Sequence, residues 1–142
     1  MESVIGKDFP KKIIPLIDSA KQSINIVVYD WRWYPNDPGC AVQIFNQSLV
    51  RASRRGVKIK AIVNNDGIVE ILKSLEINAR RVVLKNIIHA KLMIIDDNIV
   101  ILGSHNYSQN AFTLNQEISV ILSVPEKDHD FSRFFIRFFN LT

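Results

Sequence analysis

The sequence predicts an α/β fold: a mixed sheet with helices packed on its faces. Three observations carry this. β-Branched runs alternate with stretches of helical period through the first half of the chain. Two apolar runs, Leu92 to Ile95 and Ile99 to Leu102, flank Asp96-Asp97-Asn98, a turn composition that reads as a hairpin. At 142 residues, with no internal repeat and no Gly/Ser linker, the chain has the size of one domain with one core.

Taken in order, Phe9 to Lys21 reads as a helix, with Ile13, Leu16, Ile17 and Ala20 on one side. Pro15 within it predicts a late start or a kink, because proline lacks the N–H that an interior turn needs. Ser23 to Tyr29 is a buried strand and Asp30 to Gly39, rich in turn residues, a loop. Ala41 to Arg55 places Val42, Phe45, Leu49 and Ala52 at helical spacing, and Gly56 ends it. Val57 to Val63 alternates as a second strand, Gly67 to Leu75 is a short helix, and Arg80 to Leu84 a third strand. After the hairpin (Ala90 to Ile95 and Ile99 to Leu102), Glu117 to Val124 is another strand. Asp130 to Phe139 carries Phe131, Phe134, Phe135, Phe138 and Phe139 on one helical stripe, which reads as core, with a partner groove as the alternative.

Composition narrows the function classes. Hydrophobic residues are 47% and charged residues 23%, an ordinary globular balance. No apolar run approaches a membrane span, and the first residues lack a basic region followed by an apolar one. With Cys40 as the single cysteine, an internal disulfide is excluded and a cytoplasmic setting is the expectation. The net charge of +4 and pI near 9.3 favour an anionic partner, nucleic acid or an acidic lipid surface, although mild basicity also serves solubility alone.

The informative stretch runs from His89 to Glu117. His89 and Lys91, two apart at the start of a strand, leave the same face of the sheet. The return strand brings Gly103-Ser104-His105-Asn106 back beside them, again with Ser104 and Asn106 on one face. An imidazole, an ammonium, a hydroxyl and an amide converging on one volume suit a phosphodiester. The imidazole can attack phosphorus while the other groups hold the non-bridging oxygens. Glu117 is placed to accept from the second ring nitrogen of a histidine, as the acid of a hydrolase triad does.

The spacing His89-x-Lys91-x4-Asp96-x6-Gly103-Ser104-x-Asn106 matches the HxKx4Dx6GSxN signature and thereby resembles the phospholipase D superfamily. Six fixed residues at these spacings arise by chance with a probability on the order of 10⁻⁸ per start position. Ser19 to Ile24 with Tyr29, Arg54 to Ile59, and Asn106-Tyr107-Ser108 with Asn115 and Glu117 extend the resemblance from about Phe9 to Val124. They resemble the short, single-motif bacterial nucleases of that superfamily.

The resemblance implies an α/β/α sandwich and metal-independent hydrolysis through a covalent phosphohistidine, with no cofactor. Two motifs make one active site in this superfamily, so a chain with one motif is expected to form a homodimer whose two His89 residues face each other. By the same resemblance His89 is nucleophile or acid, Lys91 and Asn106 bind phosphate, Glu117 orients histidine, Ser104 lines the pocket, and Asp96 organises structure from the turn.

Other residues are read from their surroundings. Arg32 and Trp33, in the loop after the first strand, are candidates to grip phosphate and stack a base, with packing or dimer contact as the equal alternative. Arg54 and Arg55 are candidates for a backbone-tracking patch, against the plainer reading of a solvated helix end. His105 and His129 read as bystanders, and His89 and His105 with nearby acids have no metal-ligand spacing. The expected partner is nucleic acid, DNA before RNA, with no stable membrane insertion. The alternatives are a lipid (cardiolipin) hydrolase and a non-catalytic nucleic-acid-binding module.

Overall fold

A computed structural model describes residues 1–141. It contains β1 (Glu2–Ile5), α1 (Asp8–Asp18), β2 (Ser23–Val27), α2 (Ala41–Arg54), β3 (Lys58–Val63), α3 (Asp66–Ser74) and β4 (Asn78–Arg81). These are followed by β5 (Leu92–Ile95), β6 (Ile99–Gly103), α4 (Gln109–Thr113), β7 (Ile118–Ser123) and α5 (Asp130–Phe139). The strands form one seven-stranded sheet in the order β1-β7-β6-β5-β2-β3-β4. β2, β3 and β4 run parallel, and every pairing from β2 through β5, β6 and β7 to β1 is antiparallel. The sheet is mixed, as the sequence predicts.

Alternation along the strands sends their side chains to two cores. Ile24, Ile26, Ile59, Ala61, Met93, Ile95 and Ile101 face the larger one, which also holds Phe9, Ile13, Leu49 and Phe112 from the helices and the loop residue Trp31. Val27, Ile62, Leu92, Ile94 and Val100 face the smaller one, covered by Phe135 and Phe139 of α5. Full burial of one such side chain stabilises by about 1.5–3 kcal/mol, so these two clusters hold the layers together. The aromatic stripe is therefore core on its inner edge, whereas Phe134 on its outer edge is 37% exposed.

Several boundaries differ from expectation. α1 starts at Asp8 and carries Pro15 inside it, rather than starting late. β4 begins two residues early, because Glu76 at φ 63° and the Ile77 N–H on the Leu72 carbonyl turn the chain into the sheet at once. β1 and α4 have no counterpart in the sequence reading. β1 buries only Val4, and α4 is five residues long, so neither leaves a periodic trace. The hairpin forms as expected: Asp96 and Asp97 both take positive φ, and Asn98 N–H closes on the Ile95 carbonyl at 3.1 Å.

The loop after β2 is tied down by buried amides on α2. Trp31 Nε1 donates to Asn46 Oδ1 at 2.7 Å, and Asn46 Nδ2 donates to the Arg32 carbonyl at 2.9 Å. Trp31 also bridges Tyr107, with Arg32 N–H on the Tyr107 carbonyl and Tyr107 N–H on the Asp30 carbonyl. Strand β2's exit is thus stitched to the segment that follows β6.

Candidate active site

The register fixes the site. Val27 of β2 pairs Leu92 and Leu92 pairs Leu102, so His89 and Lys91, Tyr29, and Gly103 to Asn106 all leave the same end of the sheet. Gly103 N–H donates to the Lys91 carbonyl at 3.3 Å, which carries the pairing one residue beyond the strand. A Cβ on Gly103 would lie 2.4 Å from the Ser119 Cα and 2.5 Å from the Ile118 carbonyl oxygen, so the motif glycine lets β6 and β7 approach.

His89 is exposed. Lys91 Nζ stands 2.9 Å from its Nδ1 and 3.2 Å from its Nε2, and also donates to the His89 carbonyl at 2.9 Å. Burial pulls the Lys91 ammonium below its ordinary pKa, and the Glu117 carboxylate pulls it back up. Asn106 Oδ1 accepts the Asp30 N–H at 3.1 Å, which leaves its NH2 end, the donor end, for a ligand. An imidazole with a cation at its edge and an amide donor nearby can hold a phosphodiester and attack it.

Ser104 is at this end, but its hydroxyl is occupied: it accepts from Ile118 N–H at 3.0 Å and donates to the Ile118 carbonyl at 3.3 Å, closing the β6–β7 ladder. Glu117 makes no hydrogen bond to His89 of the same chain among the described residues. Its carboxylate accepts from Asn115 Nδ2 at 3.2 Å and acts electrostatically on Lys91 and His105. Asp96 lies at the opposite end of β5. Its carboxylate accepts backbone N–H groups from Lys21, Gln22 and Ser23, at 2.7 Å for the shortest. Burial alone would raise its pKa, but these donors and the Lys21 charge outweigh it and hold the carboxyl below its usual value.

The outlying candidates separate. Arg32 is exposed near the site end, where its Nε pairs Asp30 at 2.8 Å. Trp33 is half-buried, its ring 6.2 Å from the fully packed Trp31. Arg54 and Arg55 are at the far end of the sheet from His89. α2 runs antiparallel to the parallel strands it connects, so its last turn returns to where β2 and β3 begin. There Arg55 donates to the Ile17 and Ala20 carbonyls at 2.9 and 3.0 Å, capping α1.

Both bystander histidines have packing roles. His105 is buried and stacked on Phe9 at 4.5 Å. The Gly6 carbonyl, 2.8 Å away, can only accept, so Nε2 carries the proton and the Ser119 hydroxyl, 2.7 Å from Nδ1, can donate to it. Burial lowers its pKa against the opposing pull of the Gly6 carbonyl and Glu117. His129 caps α5, its Nδ1 accepting from Ser132 N–H while Nε2 donates to the Asp97 carbonyl. Tyr29 is a neighbour of His89 to which the sequence assigned no role in the site: its ring centroid is 4.9 Å from that of His89. Its sequence signals are its position as the last residue of the β-branched run and its place in the stretch that extends the family resemblance. Among the described residues no helix is long and apolar enough to cross a membrane, and no three His, Cys, Asp or Glu side chains are grouped to hold a metal ion.

A mixed sheet with this motif at one end defines a class. The family profile described as "Cardiolipin synthase, PLD-like domain" matches residues 13–139. The chain belongs to this phospholipase D-like family. Among solved structures it is similar to a phospholipase D family member, Nuc from Salmonella typhimurium, with a TM-score of 0.79, 26% identity, and coverage of 97% of this chain and 93% of that one. NucT from Helicobacter pylori shares the fold at a TM-score of 0.77 and 22% identity, over 97% and 94% of the two chains. A probable phospholipase D of Caenorhabditis elegans is 27% identical over 125 residues, which are 76% of this chain and 22% of the relative. Cardiolipin synthase A of Pectobacterium carotovorum is 28% identical over 118 residues, 70% of this chain and 23% of that one. The chain therefore spans less than a quarter of the length of these two relatives.

Proposed function

We propose that the chain is a phosphodiesterase that hydrolyses nucleic acid, DNA before RNA, as a single-domain homodimer through a covalent phosphohistidine and without a metal or cofactor. The observation that carries this is the exposed His89 imidazole with the Lys91 ammonium 2.9 Å from its Nδ1, at the same end of the sheet as the open NH2 end of Asn106.

The step follows from those groups. A ring nitrogen of His89 gives its lone pair to phosphorus, and the P–O bond breaks with its pair on the leaving oxygen. The imidazolium of the partner's His89 protonates that oxygen. Water, deprotonated by the same imidazole, then attacks phosphorus, and the N–P pair returns to His89. Lys91 and Asn106 hold the non-bridging oxygens as charge develops.

A dimer gives one motif two copies in one site, since a two-fold interface places equivalent residues opposite each other. Support comes from the apolar surface bordering His89. Val83 is 76% and Ile87 63% exposed, and an open groove of about 460 Å³ runs between His89, Leu84, Ile87, Phe134 and Phe138. Nucleic acid is favoured by the +4 charge and by the near end-to-end match to Nuc, against a match to less than a quarter of cardiolipin synthase A. A cytoplasmic site of action accords with the single cysteine.

The test is cleavage of supercoiled plasmid and single-stranded oligonucleotide in excess EDTA, wild type beside His89→Ala. Cleavage by wild type alone is expected. Absence of cleavage by a folded dimer overturns the reading. The same apolar border and the family profile favour a lipid phosphodiesterase as the second reading, and flotation with cardiolipin vesicles separates the two.

A further inference from the structure

An exposed histidine that must attack phosphorus along one line needs something to hold its ring. Within one chain, the Glu117 carboxylate accepts from Asn115 Nδ2. The ring meets the Lys91 ammonium at its edge, 2.9 Å from Nδ1, and the Tyr29 ring, at 4.9 Å between centroids and 54° between planes. Lys91 Nζ, 6.0 Å from the centroid of the same Tyr29 ring, closes a triangle of tyrosine, histidine and lysine.

Tyr29 is itself fixed from both sides along the chain. The Val28 N–H donates to the Ile62 carbonyl at 3.2 Å, and the Asp30 N–H donates to Asn106 Oδ1 at 3.1 Å. The Asp30 carbonyl accepts from Tyr107 N–H at 2.9 Å. The backbone carrying the ring is thereby clamped between β3 and the Asn106 segment. A side chain on so fixed a backbone can define where a neighbouring exposed ring rests.

We propose that Tyr29, which lies outside the six-residue motif, is the positioning residue of His89: its ring holds the imidazole in one orientation for attack. This rests on the phosphodiesterase reading above. Its aromatic face also suits what the imidazole becomes. While bonded to phosphorus and still protonated on its other nitrogen, the His89 ring is cationic, and a π face stabilises a cation. Both contacts that Tyr29 makes in the triangle are made by its ring.

The experiment compares wild type, Tyr29→Phe, Tyr29→Leu and Tyr29→Met, each first checked for a cooperative melt. One readout needs no activity: the His89 side-chain rotamer populations, from NMR three-bond couplings. The expectation is one rotamer in wild type and Tyr29→Phe, and averaging in Tyr29→Leu and Tyr29→Met. The second readout is oligonucleotide cleavage, where kcat falls about tenfold in the Leu and Met variants with KM nearly unchanged, and Tyr29→Phe restores it. A single His89 rotamer in a folded Leu or Met variant overturns the proposal. Loss of activity in Tyr29→Phe equal to that in Tyr29→Leu overturns it too, since the hydroxyl would then be the working group. Should wild type fail to cleave while the rotamers average as expected, the nuclease reading falls and the positioning of His89 by Tyr29 stands.

Discussion

The two ends of strand β5 carry residues of one motif and treat them in opposite ways. At one end His89 is exposed and Asn106 keeps its donor end open. At the other, the Asp96 carboxylate is shared among three backbone amides and its own backbone sits at φ 52°. Open polar groups bind things, and satisfied ones build things. Under the proposed function the motif is half reaction and half construction: Asp96, Gly103 and the Ser104 hydroxyl hold the hairpin and its neighbours, and His89, Lys91 and Asn106 share one end of the sheet.

Substitutions at each end should separate these roles. His89→Ala is expected to lower cleavage by about 10³-fold or more while leaving the melting midpoint within a degree or two, because the ring is exposed. A large drop in that midpoint would move His89 to the construction half. Gly103→Ala should cost about 3 kcal/mol in denaturant melts, since its Cβ meets backbone atoms that cannot turn aside.

Asp96→Asn keeps a residue that tolerates positive φ, so it isolates the charge. It should cost about 2 kcal/mol near neutral pH with cleavage per folded molecule retained. The Asp96 carboxyl is depressed in the folded state, so its stabilisation is present above the unfolded value of about 3.9 and is lost as pH falls through the folded value. Wild type and variant should therefore converge in acid, and melts that stay parallel down to pH 2 would count against the amide cage. The smallest effect is expected at Arg54, which lies at the construction end. Arg54→Ala should change stability by less than about 0.5 kcal/mol and leave the salt dependence of DNA binding unaltered.

The motif and most of the sheet were legible because both rest on local pattern. A continuous apolar run such as Leu92 to Ile95 marks a strand that faces both cores, and the spacing His89-x-Lys91 places two side chains on one face regardless of what surrounds them. The placement of Arg54 and Arg55 was less legible. It depends on the direction in which α2 crosses back, and a sequence lists neighbours along the chain, not across it. Trp33 invited a stacking role with packing as the equal alternative, and its neighbour Trp31 is drawn fully inside by Asn46 on α2. The contact of Tyr29 with His89 was not legible either, because it joins residues sixty apart in the chain.

The pairing of β1 with β7 sets a timetable. Glu2 faces Ile121, so the earliest strand of the chain has no sheet to join until the last one has been made. At about 5–20 residues per second of synthesis, β1 waits several seconds as an unpaired edge. Its make-up suits the wait: Glu2 and Ser3 are polar, and only Val4 is hidden in the finished sheet. Adding apolar residues there would make the waiting edge more prone to aggregate during synthesis.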